Sequence, residues 1–234
     1  GIAVMLLIIW EVVKRGAATI DWAFFTQLPP VVGEEGGGLG NAIVGTLLIT
    51  FFAALIALPM GFFGGIWLAE FGRNGRIATG VRMVANVNMG IPSIVVGVVV
   101  FAALDILNLV PNELRESALA MGVPRWRVTL GVITRAARSG LITGAVLATV
   151  RVAGETAPLL FTALSSPYWI KGLFGSEGFF GGPVANLTKM VYDFSGMPYE
   201  RMQELAWGGA LVIIVAVLGL NVLMRLIFQR GKEW

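Results

Sequence analysis

The chain of 234 residues is too apolar for a water-soluble domain, because 56% of its residues are hydrophobic and 13% are charged, against about 25% charged in ordinary globular domains. It contains no cysteine and no histidine, which excludes disulfides and thiol chemistry and removes the commonest metal ligand and near-neutral proton carrier. Metalloenzymes and histidine-dependent enzymes are therefore disfavoured, and the net charge of +3 is interpreted as a record of membrane topology.

Five apolar runs follow one another along the chain, at residues 1–13, 41–70, 83–104, 141–164 and 205–228. A helix needs roughly 20 apolar residues to cross a bilayer, so four of the runs are long enough and the first is short. Because the first run has no basic segment before it, we expect the remainder of a truncated span rather than a signal peptide. The runs predict an all-α, polytopic transmembrane helix bundle, a single domain over residues 1–234, with about six spans in the intact chain.

Basic residues divide the connecting segments into two sets. Residues 72–82 hold three arginines, residues 105–140 hold five, and the C-terminal tail holds three Lys or Arg residues. Because Lys and Arg accumulate on the cytoplasmic side of a membrane, these segments are predicted to be cytoplasmic. Segments 14–40 and 165–204 hold five between them over a greater length and are predicted to be external.

The two cytoplasmic segments 72–82 and 105–140 are separated by a single apolar run, and one crossing cannot return the chain to the same side. We therefore expect a span to be missing after Leu104, where DILNLVPNELRES follows FAAL abruptly. A re-entrant turn near Pro92 is the alternative. Two full spans would need roughly 40 apolar residues, and the run at 83–104 offers 22.

Residues 112–140, NELRESALAMGVPRWRVTLGVITRAARSG, predict two short amphipathic helices. The residues predicted to form an apolar face of the first helix at helical spacing are Leu114, Ala118 and Met121. The residues predicted to form its polar face are Glu113, Arg115 and Glu116. Gly122 is predicted to end this helix and Pro124 to begin the second. The pattern alone is equally compatible with a plain membrane-surface loop.

Within this segment, ESALAMG at residues 116–122 resembles the EAA motif of ABC importer permeases. In that family the loop forms a coupling helix that docks on a cytoplasmic ATPase subunit. The resemblance implies that residues 105–140 are the coupling loop and that Glu116, Ala118, Gly122 and Arg125 contact the ATPase. The exit of the loop departs from the family, because ITRAARSG stands where a proline-containing run is usual.

Three further segments, GIPSIVVG at 90–97, GETAPLLFTA at 154–163 and SGMPYERMQELAWG at 195–208, are similar to phosphate-specific permeases of this family, and the last favours the second of their two paired permeases. The resemblance implies phosphate import by alternating access, in the bacterial inner membrane. It also implies a second permease, two ATP-binding cassette ATPases and an external phosphate-binding protein as partners, besides the lipid bilayer and without nucleic acid. ATP and Mg are expected on the partner ATPase, with no cofactor on this chain.

Arg151 and Glu155 carry charge inside an apolar run and lie four residues apart, which places them on one helix face. Such charges face protein or an aqueous path and have a partner. Two hypotheses follow: an internal ion pair that orients the helix, or a substrate pathway in which Arg151 meets an oxyanion while Glu155 holds the arginine in its absence. Pro158 leaves the carbonyl of Gly154 without its usual donor, so a kink is predicted there, with Thr156 satisfying part of it beside the same pathway.

The sequence contains no G-x-x-x-x-G-K-[ST] segment, so the chain lacks the usual phosphate-cradling loop of an ATPase and is predicted to be a transport subunit rather than an enzyme. Two rivals remain: a permease for another oxyanion such as sulfate or molybdate, and a gradient-driven secondary transporter. An interfacial aromatic belt is predicted from external residues, namely Phe24, Phe25, Tyr168, Trp169, Phe174, Phe179 and Phe180.

Overall fold

The computed structural model describes residues 1–72, 75, 78–81, 83, 95–153 and 165–229. Every regular element assigned within those ranges is a helix, so the predicted all-α class is confirmed. The α-helices, in chain order, are α1 Ile2–Thr19, α2 Trp22–Thr26, α3 Gly40–Ile66, α4 Val95–Asn108, α5 Asn112–Ala120, α6 Arg125–Arg127, α7 Thr134–Ala136, α8 Arg138–Ala153, α9 Leu187–Ser195 and α10 Glu200–Gln229. Two π-helical turns, Trp67–Phe71 and Val128–Ile133, follow α3 and α6 directly.

Two helices are long and apolar enough to cross a membrane, Gly40–Phe71 with 32 residues and Glu200–Leu220 with 21. The segments Arg125–Ala136 and Arg138–Thr149 pass the same test together but are bent by 75° at their junction. The described residues therefore contain two candidate spans, or three if the bent pair is one span. The predicted total of about six stays a prediction for the intact chain.

Helix α4 passes through the point at which a missing span was expected. Leu104 and Asp105 are consecutive residues of one α-helix, and Leu104 and Leu107 are buried while Asp105 is exposed. The helical alternation of buried and exposed side chains thus continues across this point, which is not a structural break. The alternative turn near Pro92 lies outside the described residues.

The chain divides into two compact units: Gly1–Phe51 with Ala153–Gly219, and Phe52–Val152 with Leu220–Trp234. In the first unit, α9 and the starts of α3 and α10 surround a core in which Phe24, Leu39 and Leu205 are fully buried. A Cβ atom at Gly208 would lie 2.8 Å from the ring of Phe24, so glycine is what allows the ring to reach α10.

The second unit has its own core beneath the 112–140 segment. Leu68 of the first π-helical turn, Leu107 of α4 and Ile133 of the second π-helical turn are fully buried there. Helices α3 and α4 pack closely, because a Cβ atom at Gly65 would lie 2.5 Å from that of Ala103. This core supports the coupling-loop residues from the side of α3 and α4.

Candidate functional site

The predicted coupling loop begins with α5, and after Gly122 a helical run made of α6, the π-helical turn Val128–Ile133 and α7 takes the place of the predicted second helix. Helix α5 ends at Ala120, and Gly122 follows with φ +77°, a left-handed conformation that glycine adopts without steric cost. The Gly122 N–H donates to the carbonyl of Leu119 at 2.9 Å, which closes the end of the helix. Pro124 directly precedes α6. The predicted roles of Gly122 and Pro124 in ending one helix and beginning the next are confirmed.

Three of the four predicted docking residues are accessible in this loop. Glu116, Gly122 and Arg125 are exposed, and a Cβ atom at Gly122 would meet no atom within 4 Å. Ala118 differs, because it is partly buried and packs against the core of the second unit. An incoming partner surface can therefore reach Glu116, Gly122 and Arg125 directly, while Ala118 seats the helix.

The predicted faces of α5 are wrong in part. None of its nine residues is buried, and Met121, predicted to lie on the apolar face, is 83% exposed. Arg115, predicted to lie on the polar face, points inward, and its side chain is only 13% exposed. The reason is that α5 is attached through the charged side chain of Arg115 as well as through Ala118. The spacing of hydrophobic residues could not reveal the contact of Arg115.

Arg115 makes that polar contact with two other elements. Its Nη2 lies 3.0 Å from Oε1 of Glu70, which is also 13% exposed, and Nη2 donates to the carbonyl of Leu107 at 2.6 Å. Glu70 sits in the π-helical turn that ends the first candidate span, and Leu107 lies in the last turn of α4. Sequence reasoning missed Glu70, whose one signal was a carboxylate at the edge of the apolar run 41–70.

A polar cavity of about 380 Å³ lies beside this ion pair, and several charged side chains of the described residues line it. Two carboxylates and two guanidiniums, those of Glu70, Glu116, Arg115 and Arg125, line it. The structure thus brings the predicted docking residues Glu116 and Arg125 to one site, together with the ion pair. Among the described residues, no group of three acidic, histidine or cysteine side chains is arranged for a metal ion.

A second cavity of the same unit, about 440 Å³, has a different character. It lies between α3, α4 and α8, and its lining is apolar, with Pro59, Phe62, Ala102 and Ala145 among the contributing residues. Oxyanions are bound by charged groups and N–H or O–H donors. This cavity therefore lacks what a phosphate ion would need.

The predicted substrate pathway falls at the edge of the described chain. Arg151 belongs to the backbone of α8, and its side chain lies outside what the structure describes. Gly154, Glu155, Thr156 and Pro158 lie outside the described residues altogether. The pathway, the ion pair with Glu155 and the kink therefore stay predictions.

The seven residues of the predicted aromatic belt differ in exposure, and Phe179 is half-buried. Phe24 is fully buried, because it fills the core of the first unit. The belt residues that are exposed are Phe25, Tyr168, Trp169, Phe174 and Phe180. Nearby, Lys171 and Glu177 form an exposed ion pair at 2.8 Å, and the hydrogen bond and charge of Glu177 raise the pKa of Lys171 above its ordinary value.

The apolar helices, with candidate membrane spans at Gly40–Phe71 and Glu200–Leu220, are those of an integral membrane protein of the permease class. The family of binding-protein-dependent transport system inner membrane components matches residues 98–232, more than half of the chain. The chain belongs to this family and, within it, to the phosphate transport system permease proteins PstA. It is accordingly a multi-pass component of the inner membrane.

The relatives that support this assignment match along nearly all of the chain. The chain is 36% identical to the phosphate transport system permease protein PstA of Yersinia pestis, over 100% of this chain and 86% of that protein. It is 34% identical to PstA of Pasteurella multocida, over 100% of this chain and 91% of the relative. It is also 32% identical to a probable PstA of Methanocaldococcus jannaschii, over 93% and 85% respectively.

The alignment with the Yersinia pestis protein is longer than this chain. It extends over 262 positions, and the chain has 234 residues, so at least 262 − 234 = 28 positions have no residue here. These positions can belong to one gap or to several, so the missing span stays a prediction. The alignment length does not place the gap, and its predicted location after Leu104 stays a prediction.

Proposed function

We propose that this chain is the membrane-spanning subunit of an ATP-driven importer and moves inorganic phosphate across the inner membrane by alternating access. The observation that carries the proposal is the 36% identity over the whole chain to a protein named as a phosphate transport permease. A match confined to the coupling loop would support an importer permease without a substrate. Here the similarity includes both candidate spans and the external segment.

The partners in this proposal are a second permease, two ATP-binding cassette ATPases and an external phosphate-binding protein. The support from this chain is the coupling loop, where Glu116, Gly122 and Arg125 are exposed on one loop. ATP and Mg belong to the ATPase in the proposal, because this sequence has no phosphate-cradling loop of its own. ATP-driven closure of the ATPases would displace the coupling loop and tilt the spans.

Phosphate passes Arg151 in this proposal. A guanidinium is always charged and offers a fork of N–H donors that suits phosphate oxygens, and Glu155 compensates the charge between transport events. The kink at Gly154 and Pro158, with Thr156, provides the local opening of the helix. The support is the sequence pattern, a charged pair four residues apart within an apolar run.

The function is tested by the phosphate-dependent ATPase activity of the complete complex in proteoliposomes. We expect hydrolysis and phosphate uptake to require the binding protein, and sulfate and molybdate not to compete. Competition by sulfate in the absence of competition by phosphate would identify a different oxyanion permease. Uptake that proceeds without the ATPase subunits would identify a gradient-driven transporter.

The pathway is tested by Arg151→Ala. We expect phosphate uptake to fall by about 100-fold or more, because removing one partner from a charge-assisted anion contact costs about 3 kcal/mol, while co-purification with the partners persists. Lys14→Ala, which removes an exposed cation outside the predicted coupling loop and pathway, is the control and should retain uptake. Undiminished uptake by the Arg151 variant would remove this residue from the pathway.

A further inference from the structure

We propose that the ion pair between Glu70 and Arg115 is the strut through which movement of α5 reaches the end of the spanning helix Gly40–Phe71. Both are positioning residues in this proposal, since they connect the loop to the span and contact no substrate. The proposal rests on the proposed function, because it requires a partner ATPase that displaces α5. The proposal adds that the end of the helix Gly40–Phe71 is where displacement of α5 first moves a membrane-spanning helix.

Arg115 is suited to this role because one side chain connects three elements. It starts on α5, its Nη2 lies 3.0 Å from Glu70 in the π-helical turn after α3, and the same nitrogen donates to Leu107 in α4 at 2.6 Å. A guanidinium has a planar, rigid arrangement of donors. Displacement of α5 along its axis therefore acts on both neighbouring helices through one rigid group.

Helix α5 packs mainly against the π-helical turn Val128–Ile133, and the ion pair is its charged contact with the end of the span. None of its residues is buried, and Ala118 packs against the core. Apolar contacts have no direction and permit sliding, whereas an ion pair shielded from water holds its two charges together. The Glu70–Arg115 pair thus resists displacements that the apolar contact of Ala118 would allow.

The burial of the pair keeps its two ends together. Both side chains are 13% exposed, so water screens their attraction less than it screens a surface pair. Moving one end away would leave an uncompensated charge in a largely dry place, which is strongly unfavourable. Motion of Arg115 with retention of the contact is therefore favoured over separation, and Glu70 follows.

The surroundings allow the pair to pivot. Glu70 lies within one π-helical turn, and the second, Val128–Ile133, also contributes residues to the lining of the same polar cavity. Single π-helical turns are local irregularities that often occur at functional sites. The contact between Arg115 Nη2 and Glu70 Oε1 is an ion pair rather than a hydrogen bond, since Glu70 Oε1 and Arg115 Nε have no hydrogen-bond partner among the described residues. The adjoining cavity of about 380 Å³ leaves space in which the two groups can rotate.

The absence of cysteine from this chain permits a direct test. The double variant Glu70→Cys/Arg115→Cys is assembled with cysteine-free partner subunits, and a short bis-methanethiosulfonate reagent bridges the two thiols. The readout is phosphate imported per ATP hydrolysed in proteoliposomes. We expect about a tenfold loss without the bridge, a magnitude typical of energetic coupling between sites. Bridging should restore the ratio to within about twofold of the unaltered complex, and dithiothreitol should abolish the recovery.

Charge-removing variants provide an independent measurement. Glu70→Gln and Arg115→Gln should each lower the ratio about tenfold, and the double variant should fall no further, because both substitutions remove one link. Glu113→Gln, an exposed carboxylate on the same helix that is not a predicted docking residue, is the matched control and should leave the ratio unchanged. If the glutamine variants fail to assemble, Glu70→Asp, which keeps the charge and shortens the reach, should give an intermediate loss.

The outcomes separate the strut from the proposed function. The strut is overturned if complexes with the Glu70 variants hydrolyse ATP in response to phosphate and import as much phosphate per ATP as the unaltered complex. The proposed function still stands in that case. Losses that multiply in the double glutamine variant, or a bridge that restores nothing, overturn it as well. An unaltered complex without phosphate-dependent hydrolysis overturns both proposals together.

Discussion

Helices α5 and α9 each contain nine residues and are attached to their units in opposite ways. Helix α9 buries four residues, Leu187, Thr188, Met190 and Phe194, and its first turn is capped by Asn186, which accepts from the N–H of Lys189 at 3.2 Å. Helix α5 buries none and has no side-chain cap at Pro111, and it is joined to its unit by the π-helical turn Val128–Ile133 and by the polar contacts of Arg115. Helix α9 is thus fixed by buried apolar side chains, whereas α5 is attached partly through a polar contact.

The largest effect that would test this comparison is the loss of apolar packing under α9. Phe194→Ala should lower the free energy of unfolding by about 3–5 kcal/mol, because it removes a buried ring and leaves a cavity. Thermal unfolding of the purified complex in detergent measures it. Tyr192→Ala, on the exposed side of the same helix, should change stability by less than about 0.5 kcal/mol. Equal effects of the two would show that α9 is not held by its apolar face.

A smaller effect is expected at the turn that ends α5. Gly122→Ala should cost about 1–2 kcal/mol, because its φ of +77° is unfavourable for a residue with a Cβ atom although the space around it is open. Gly131→Ala, also in open space but without a positive φ, should be nearly neutral. Both are measured by thermal unfolding.

The same position tests ATPase docking. Gly122→Arg should in addition reduce co-purification with the ATPase at unchanged membrane insertion, since it places a long side chain on the accessible end of the loop. Retention of the ATPase by this variant would exclude Gly122 from the docking surface.

The smallest effect is expected for the exposed ion pair of the external segment. Lys171→Gln should leave the unfolding temperature unchanged within error, because the pair is 70% and 65% exposed and surface pairs contribute little. Glu177 stabilises the charged form of Lys171, which raises the pKa of Lys171 above its ordinary value. The small contribution of the pair to folding stability is therefore fully present below the ordinary pKa of lysine and is lost as the pH rises through the raised value. A marked loss of stability at neutral pH would contradict this and would place the pair among the structural contacts.

The sequence predicted the regular parts of this fold well. Long apolar runs identified α3 and α10, and the rules for helix ends identified Gly122 and Pro124, because these features depend on local backbone geometry and on the demands of the bilayer. The pairing of Glu70 with Arg115 could not be predicted, since 45 positions separate them in the chain. Phe24 was misplaced for a related reason: an aromatic residue suits an interface or a core, and only the glycine at position 208 decides between them.

The bend of 75° between Arg125–Ala136 and Arg138–Thr149 would make α8 a lever in the proposed importer. Helix α8 has 16 residues and, at a rise of about 1.5 Å per residue, is about 24 Å long. A tilt of about 5° at the bend would therefore move its far end by about 2 Å, the size of helix shifts that accompany switching in many proteins. Arg151 lies in the last turn of this helix, so in the proposed importer a slight rotation of the predicted coupling loop would move this predicted pathway residue by about 2 Å.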